Sequence, residues 1–369
     1  MVKIPLKVKT GTTEAELYPY ALAALSECLE QIPSATVVIE EQPGEIGVRW
    51  RPDFRVHLTH TGHRTTLVAE FKRSGEPLYA QNVIRQLQGY RHSLNLPEVA
   101  GVFVAPYISE EAAKLCREEG IGYLDLAGNC HLAFDSVYIH VEGKPNPAAH
   151  SRPLRSLYQP KAERVLRVLL TKPSHPWRIQ ALADEAGVSI GQSFKVKNSL
   201  REKQWLEETD RGFVLTKPRE LLAAWAEQYR FGKHQAAQFY TLSALDSFEQ
   251  TLSFGCQQRE ILCGFTSFAA ASRYAPYANS RRTTAYIHRE QPKVQELLSQ
   301  SALQLDPVET GANVILVTPY DDGVFYDARE RLDITLVSPL QTYLDLQSSD
   351  GRGREAAEFL FQKEILPNW

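Results

Sequence analysis

Three residues in the stretch RPDFRVHLTHTGHRTTLVAEFKR (51–73) have types that do chemistry together: Asp53, Glu70 and Lys72. Two converging carboxylates bind a hard divalent cation through oxygen, with Mg²⁺ or Mn²⁺ the natural choice. A lysine beside them orients or deprotonates an attacking water, or stabilises negative charge on a phosphate. That set is the machinery of phosphodiester hydrolysis, with Asp53 and Glu70 as the metal ligands. The same residue types also occur as an ordinary surface ion pair, so the elements that position them decide between the two.

Side chains on a strand alternate faces, so Glu70 and Lys72 point one way and Phe71 the other. Residues 48–60 and 64–73 alternate as two strands joined at Thr61-Gly62-His63, a hairpin that would bring Asp53 beside Glu70. Before them, 13–31 has Leu22, Leu25 and Leu29 at helical spacing with Thr12 or Thr13 as cap, and 35–41 is β-branched and strand-like. After them, 82–94 reads as a helix and 99–107 as a strand buried on both faces. Residues 109–120 form a helix with a Ser cap, acids in its first turn and Gly at its end, and strands over 121–128 and 137–143 complete the set.

These residues resemble the PD-(D/E)xK nuclease superfamily: Pro52-Asp53, then Glu70-Phe71-Lys72 after a hairpin. Gln86 and Tyr90 in QLQGY have the Q-x-x-x-Y spacing of its RecB-like and Cas4-like branches. The resemblance covers about 13–143 and implies a restriction-endonuclease-like fold with Asp53, Glu70, Lys72, Gln86 and Tyr90 at the catalytic site. Cas4-like members hold an iron–sulfur cluster on cysteines. That cysteine set is missing here, so no such cluster is expected. Many relatives also use an acid in the first helix, and Glu14, Glu16 and Glu27 all stand as candidates.

The chain has 369 residues, room for two or three domains, with 43% hydrophobic and 23% charged residues, ordinary for a soluble protein. No apolar run approaches the ~18 residues of a membrane span, and MVKIPLKVKTGTTEAEL lacks the apolar stretch of a secretory leader. Five scattered cysteines without zinc spacing read as reduced, buried thiols of a cytoplasmic protein, with no zinc site. Net charge is −3, but residues 149–230 hold 15 Lys and Arg against 9 Asp and Glu, so the basic charge is local and suits an anionic partner.

That basic segment follows the Pro-rich linker KPNPAAHSRP (144–153). It reads as helices over 160–170, 177–189 and 189–204, two short strands about Asp210-Arg211-Gly212, and a closing helix over 217–229. The run looks like a winged helix-turn-helix. Ala181, Leu182, Ala186 and Val188 fit the first helix and turn, Gly187 the tight turn, and Val196 and Leu200 the inward face. Gln192, Lys195, Asn198 and Arg201 then face outward with Lys197 at the flank, donors for base edges or phosphates, and Arg211 sits at the wing tip. Ser193 stands where related domains carry an apolar residue, so either the register shifts or Phe194 takes over the packing. A protein-interaction module with a solvated basic face would have the same composition.

From about 231 a third unit alternates helices with strands such as 313–320 and 334–339. Gly264 and Ser267 sit as in a nucleotidyltransferase turn, but no Asp-x-Asp follows, and Thr284-Ala285-Tyr286-Ile287 occupies its place. We read it as a degenerate nucleotidyltransferase-like or interaction domain. Arg281-Arg282 would suit an anion or a solvated loop. With VSPLQTYLDL (337–346), the chain from about 150 onward looks like AbiEi-type antitoxins of type IV toxin–antitoxin systems, which implies transcriptional regulation and a toxin partner. The fold class is therefore α/β (α+β) multidomain: 1–147 nuclease-like, 148–230 winged helix, 231–369 AbiEi-like. The expected function is a divalent-metal-dependent DNA nuclease, suited to bacterial phage defence. The alternative is a non-catalytic AbiEi-like regulator that binds DNA, and a homodimer is plausible for either.

Overall fold

In a computed structural model, residues 13–43, 51–94, 99–146, 157–276, 281–349 and 351–369 are described, and they pack as two compact units. The first holds the chain to Ser156 together with Asn198–Gln204; the second holds Leu157–Lys197 and Trp205–Trp369. Parts of the sequence readings at 44–50 and 147–153, and Thr12, lie outside the described residues.

In the first unit, α1 (Glu14–Glu30) starts from Thr13, whose side chain accepts from the Glu16 amide while the Glu16 carboxylate accepts from the Thr13 amide. Seven strands follow: β1 (Thr36–Glu41), β2 (Phe54–His60), β3 (His63–Phe71), β4 (Val99–Ala105), β5 (Gly122–Asp125), β6 (Cys130–Phe134) and β7 (Val137–Val141). They lie side by side in chain order, with β3, β4 and β5 parallel and the other pairs antiparallel. Helices α2 (Pro77–Leu94) and α3 (Glu110–Glu118) make the two crossovers between the parallel strands.

Two cores lie on the two faces of this sheet. Leu67, Ala69 and Phe71 of β3 join Leu25 and Leu29 of α1 in one. Val68 joins Val83, Leu87 and Tyr90 of α2 in the other. The central strand β4 feeds both, Val102 and Val104 to one and Phe103 and Ala105 to the other, which is why its sequence is apolar throughout.

Several boundaries depart from the sequence reading. Strand β2 begins at Phe54, so Asp53 precedes the strand, and Lys72 follows the end of β3. The hairpin turn is Thr61-Gly62, both at positive φ (49° and 84°), with His63 already paired to His60. Positive φ at both central residues matches the right-handed twist of the strands. Helix α2 starts five residues earlier than expected, and β6 was not anticipated.

Next in the chain come α4 (Pro160–Thr171), α5 (Ile179–Glu185), α6 (Ile190–Glu202), the hairpin β8 (Leu206–Thr209) and β9 (Gly212–Leu215), and α7 (Pro218–Gln228), all in the second unit except the end of α6 from Asn198, which groups with the first. Trp177 and Phe213 exchange two backbone hydrogen bonds of 2.9 Å, adding a third strand segment to the hairpin. Gly212 permits this: a Cβ there would stand 2.3 Å from the Trp177 carbonyl oxygen. Gly187, at φ 60°, makes the turn after α5. Leu182, Ala186, Val196 and Leu200 are buried as expected. Ala181 is exposed and Ala183 packs in its place.

The rest of the second unit is a seven-stranded sheet built from β10 (Gln235–Thr241), β11 (Cys263–Thr266), β12 (Thr283–Ile287), β13 (Leu305–Pro307), β14 (Val314–Thr318), β15 (Arg329–Arg331) and β16 (Ile334–Leu336). Its order is β13-β10-β14-β12-β11-β16-β15. It carries α8 (Leu245–Gln258), α9 (Ser267–Tyr274), α10 (Pro292–Leu298), α11 (Pro339–Gln347) and α12 (Arg352–Leu360). A buried polar network ties α4 to this sheet. Arg167 donates to Gln341 Oε1 (2.6 Å) and stacks on Trp225, Arg164 donates to Asp321 (2.7 Å), and the Tyr320 hydroxyl donates to Glu163.

All five cysteines are buried free thiols, matching the sequence expectation. Cys28 on α1 and Cys130 on β6 place their sulfurs 3.3 Å apart. Among the described residues no helix is long and apolar enough to cross a membrane.

Candidate functional site: a carboxylate–lysine cluster and a helical nucleic-acid interface

Asp53, Glu70 and Lys72 meet at the end of the β2–β3 hairpin. The Phe54–Ala69 pairing sets Asp53 opposite Glu70 one rung on, and Asp53 Oδ2 accepts the Phe71 amide at 2.8 Å. Lys72 Nζ lies 3.0 Å from Glu70 Oε2 and 3.9 Å from Asp53 Oδ2. Strand alternation turns Glu70 toward α2, where the Tyr90 hydroxyl donates to Glu70 Oε1 at 2.6 Å and Gln86 Nε2 donates to the Tyr90 oxygen at 2.8 Å. Gln86, Tyr90, Glu70, Lys72 and Asp53 thus form one connected chain of polar contacts.

Electrostatics follow from burial. Glu70 is 1% exposed, and desolvation lifts its carboxyl to about 7, against the opposing pull of Lys72 and the Tyr90 hydrogen bond. Burial alone pulls the Lys72 ammonium down, but Glu70, Asp53 and Glu14 facing it more than offset that and hold it above its ordinary value. Lys72 is therefore a fixed cation, suited to charge stabilisation rather than to proton abstraction. Burial raises the Tyr90 phenol strongly, so it stays a donor.

Of the three candidate acids on α1, Glu14 is the one whose charge reaches Lys72. Glu16 is spent on the helix cap, and Glu27 lies about 20 Å further along the helix. Tyr18, also on α1, donates to the Asp53 carbonyl at 2.7 Å and fixes the turn that carries Asp53. Burial pushes its phenol up to about 12. The sequence offered no signal for Tyr18, because its partner is 35 residues away.

The protein donors for a cation here are two carboxylates; among the described residues no group of three or more His, Cys, Asp or Glu side chains is placed to hold a metal. Two carboxylates suit Mg²⁺ or Mn²⁺, which keep several waters and complete their shell with substrate phosphate.

In the helices that precede the β8–β9 hairpin, α6 turns Ser193 (0% exposed), Val196 and Leu200 inward. Ser193 itself fills the inward position, and Phe194, 52% exposed, does not take over the packing. Lys195 and Arg201 are exposed, while Gln192 and Asn198 are half-buried. Lys197 is engaged with the wing, 2.8 Å from Glu208 and over the Phe213 ring. Arg211 is exposed at the hairpin tip beside Glu207, Glu208 and Asp210, also exposed, so the wing offers little net positive charge.

In the large sheet of the second unit Gly264 lies within β11 and Ser267 opens α9 at φ 52°. Thr284, Tyr286 and Ile287 stand on β12 where acids would be needed, and all are buried. Arg281 and Arg282 are exposed ahead of β12. The carboxylate missed from sequence is Asp345 on α11, 1% exposed, lifted by burial to about 6. It accepts from Tyr229 (2.6 Å), Gln341 (2.8 Å), Tyr286 (3.0 Å) and Thr266. So enclosed, it is a structural centre with no room for substrate.

Residues 214–366 match the family described as "Transcriptional regulator, AbiEi antitoxin, Type IV TA system". The match begins within β9, so it takes in the end of the wing, α7 and nearly all of the following α/β structure, and does not reach 150–213. No curated protein matches the chain. One similar solved structure is described as that of an EndoMS–dsDNA2 complex. It is 24% identical over 28% of this chain, with a TM-score of 0.21, a likeness too slight to carry an argument. The chain spans 43% of that protein's length.

Proposed function

We propose that this chain is a DNA-binding transcriptional regulator of the AbiEi antitoxin kind, with a toxin as its genetic or physical partner. The observation that carries the reading is the family match over 214–366, which runs from the wing into the sheet that α4 is tied to. DNA is engaged by α6, with Lys195 and Arg201 on phosphate and the helix in a major groove. The test is duplex binding by the full chain across a salt series. Affinity falling linearly on a log–log plot supports the reading, and failure to retain any duplex at low ionic strength removes it.

A second reading is favoured by one observation, the convergence of Asp53, Glu70 and Lys72 within 3.0–3.9 Å. In this reading the first unit is a DNA phosphodiesterase. Asp53 and Glu70 would hold Mg²⁺ or Mn²⁺, which when bound supplies Lewis-acid polarisation and an activated water. Lys72 stabilises charge on the phosphate, Tyr90 and Gln86 fix Glu70, and Glu14 biases Lys72 toward its charged form. Metal-dependent cleavage is measured on single- and double-stranded DNA and on RNA. Lys72→Ala is expected to stop cleavage and leave DNA binding intact. Equal cleavage by the variant, or none by the unaltered protein, leaves the regulator alone.

A further inference from the structure

We propose that Ile190 and Phe194, an exposed apolar pair on the first turns of α6, read thymine methyl groups in the major groove. The inference rests on the DNA-binding reading above and adds to it a source of sequence preference.

The inward face of α6 is complete without this pair. Ser193, Val196 and Leu200 fill it, Leu182, Phe213 and Leu215 are buried, and Ile190 and Phe194 are the large apolar side chains left exposed among the described residues of 157–229. Ile190 and Phe194 stay 47% and 52% exposed. Four residues apart, they lie one above the other on one side of the helix. They occupy the amino-terminal part of the second helix of the helix-turn-helix, the part that meets base edges in such domains. The apolar group a major groove presents is the thymine C5 methyl, and it is met by apolar side chains.

Charge at this end of the helix suits a polyanion. The first turn of α6 carries no acid, and Lys195 is exposed next to Phe194. Gly191, between the pair, has open space where a side chain would stand, so the backbone is free to approach the groove. A second copy docked through the same face would set one acid-free, cationic patch against its equal, since a two-fold interface uses the same patch on both subunits. DNA is the better occupant.

The experiment uses the full chain and a random-sequence duplex library from which bound duplexes are selected. The enriched duplexes are resynthesised with deoxyuridine in place of thymidine, which deletes only the methyl groups. Affinity for both forms is measured by fluorescence anisotropy. Each buried methyl lost is expected to weaken binding about fourfold. Phe194→Ala and Ile190→Ala should bind the two forms nearly alike. Lys195→Ala should weaken both equally and keep their ratio. Equal affinity of the unaltered protein for the two forms overturns the inference while leaving DNA binding in place. A Phe194→Ala variant that changes oligomeric mass but keeps the thymidine preference also overturns it, in favour of an interface between copies. Failure to enrich any duplex overturns both the inference and the regulator reading.

Discussion

The buried carboxyl of Glu70 makes the stability of the protein depend on pH in a predictable direction. Its folded-state value is raised from 4.5 to about 7. A shift of about 2.5 units corresponds to roughly 3 kcal/mol, an upper figure because Lys72 adjusts with it. The sign follows from linkage. The folded state holds the proton more tightly than the unfolded chain, so this stabilisation is fully present below about pH 4.5. It is lost as pH rises to about 7, and above that the loss is complete. Glu70→Gln keeps the shape and removes the titration. The assay is urea unfolding between pH 5 and 8, comparing the variant with the unaltered protein so that other titrating groups cancel. The unaltered protein should lose up to about 3 kcal/mol relative to Glu70→Gln across that window. Equal slopes for the two proteins would refute the reasoning, because Glu70 would then ionise as readily when folded as when exposed. Mn²⁺ or Mg²⁺, if held by Asp53 and Glu70, should restore stability mainly above pH 7, where the carboxylate is formed without the metal having to displace a proton.

Three further outcomes are expected. Lys195→Ala should reduce the salt dependence of DNA binding by about one phosphate contact, whereas Lys197→Ala should change it less, its charge being held by Glu208 at 2.8 Å; anisotropy titrations at several salt concentrations compare them. Asp345→Ala leaves four buried donors without their acceptor and should cost at least about 3 kcal/mol, read as a lowered thermal midpoint. Gly212→Ala forces a Cβ to 2.3 Å from the Trp177 carbonyl; it should break the Trp177–Phe213 bridge, lower the midpoint and weaken DNA binding, seen by thermal melting and anisotropy together.

What was legible in the sequence was local. Period-2 alternation sent Glu70 and Lys72 the same way, and the hairpin spacing brought Asp53 to them. Val196 and Leu200 gave the inward face of α6, and at ~100° per residue Phe194 points about 160° from Val196 and about 120° from Leu200, off that face. The residue reading left Ser193 and Phe194 open because a polar side chain at an inward position carries no periodic signal. Strand β6 was hidden because Cys130, His131 and Ala133, types without strand preference, fill most of it. Asp345 was illegible for a different reason. On α11 it reads as a solvent-facing acid, and its burial depends on hydroxyls from Tyr229, Tyr286 and Thr266, up to 116 residues away.

The strand orders of the two sheets imply different schedules of assembly. In the first unit each strand neighbours the next in sequence, so the sheet can zip up as the chain emerges, through short loop closures. In the second, β11 must wait for β16 beside it, and α4 must wait for Gln341 and for the indole of Trp369, which donates to the Leu170 carbonyl at 2.8 Å. During synthesis α4 is therefore made early but seated late. A chain halted before α11 would carry α4 without its Gln341 and Trp369 partners, so the packing of that helix is completed only when the end of the chain has been made.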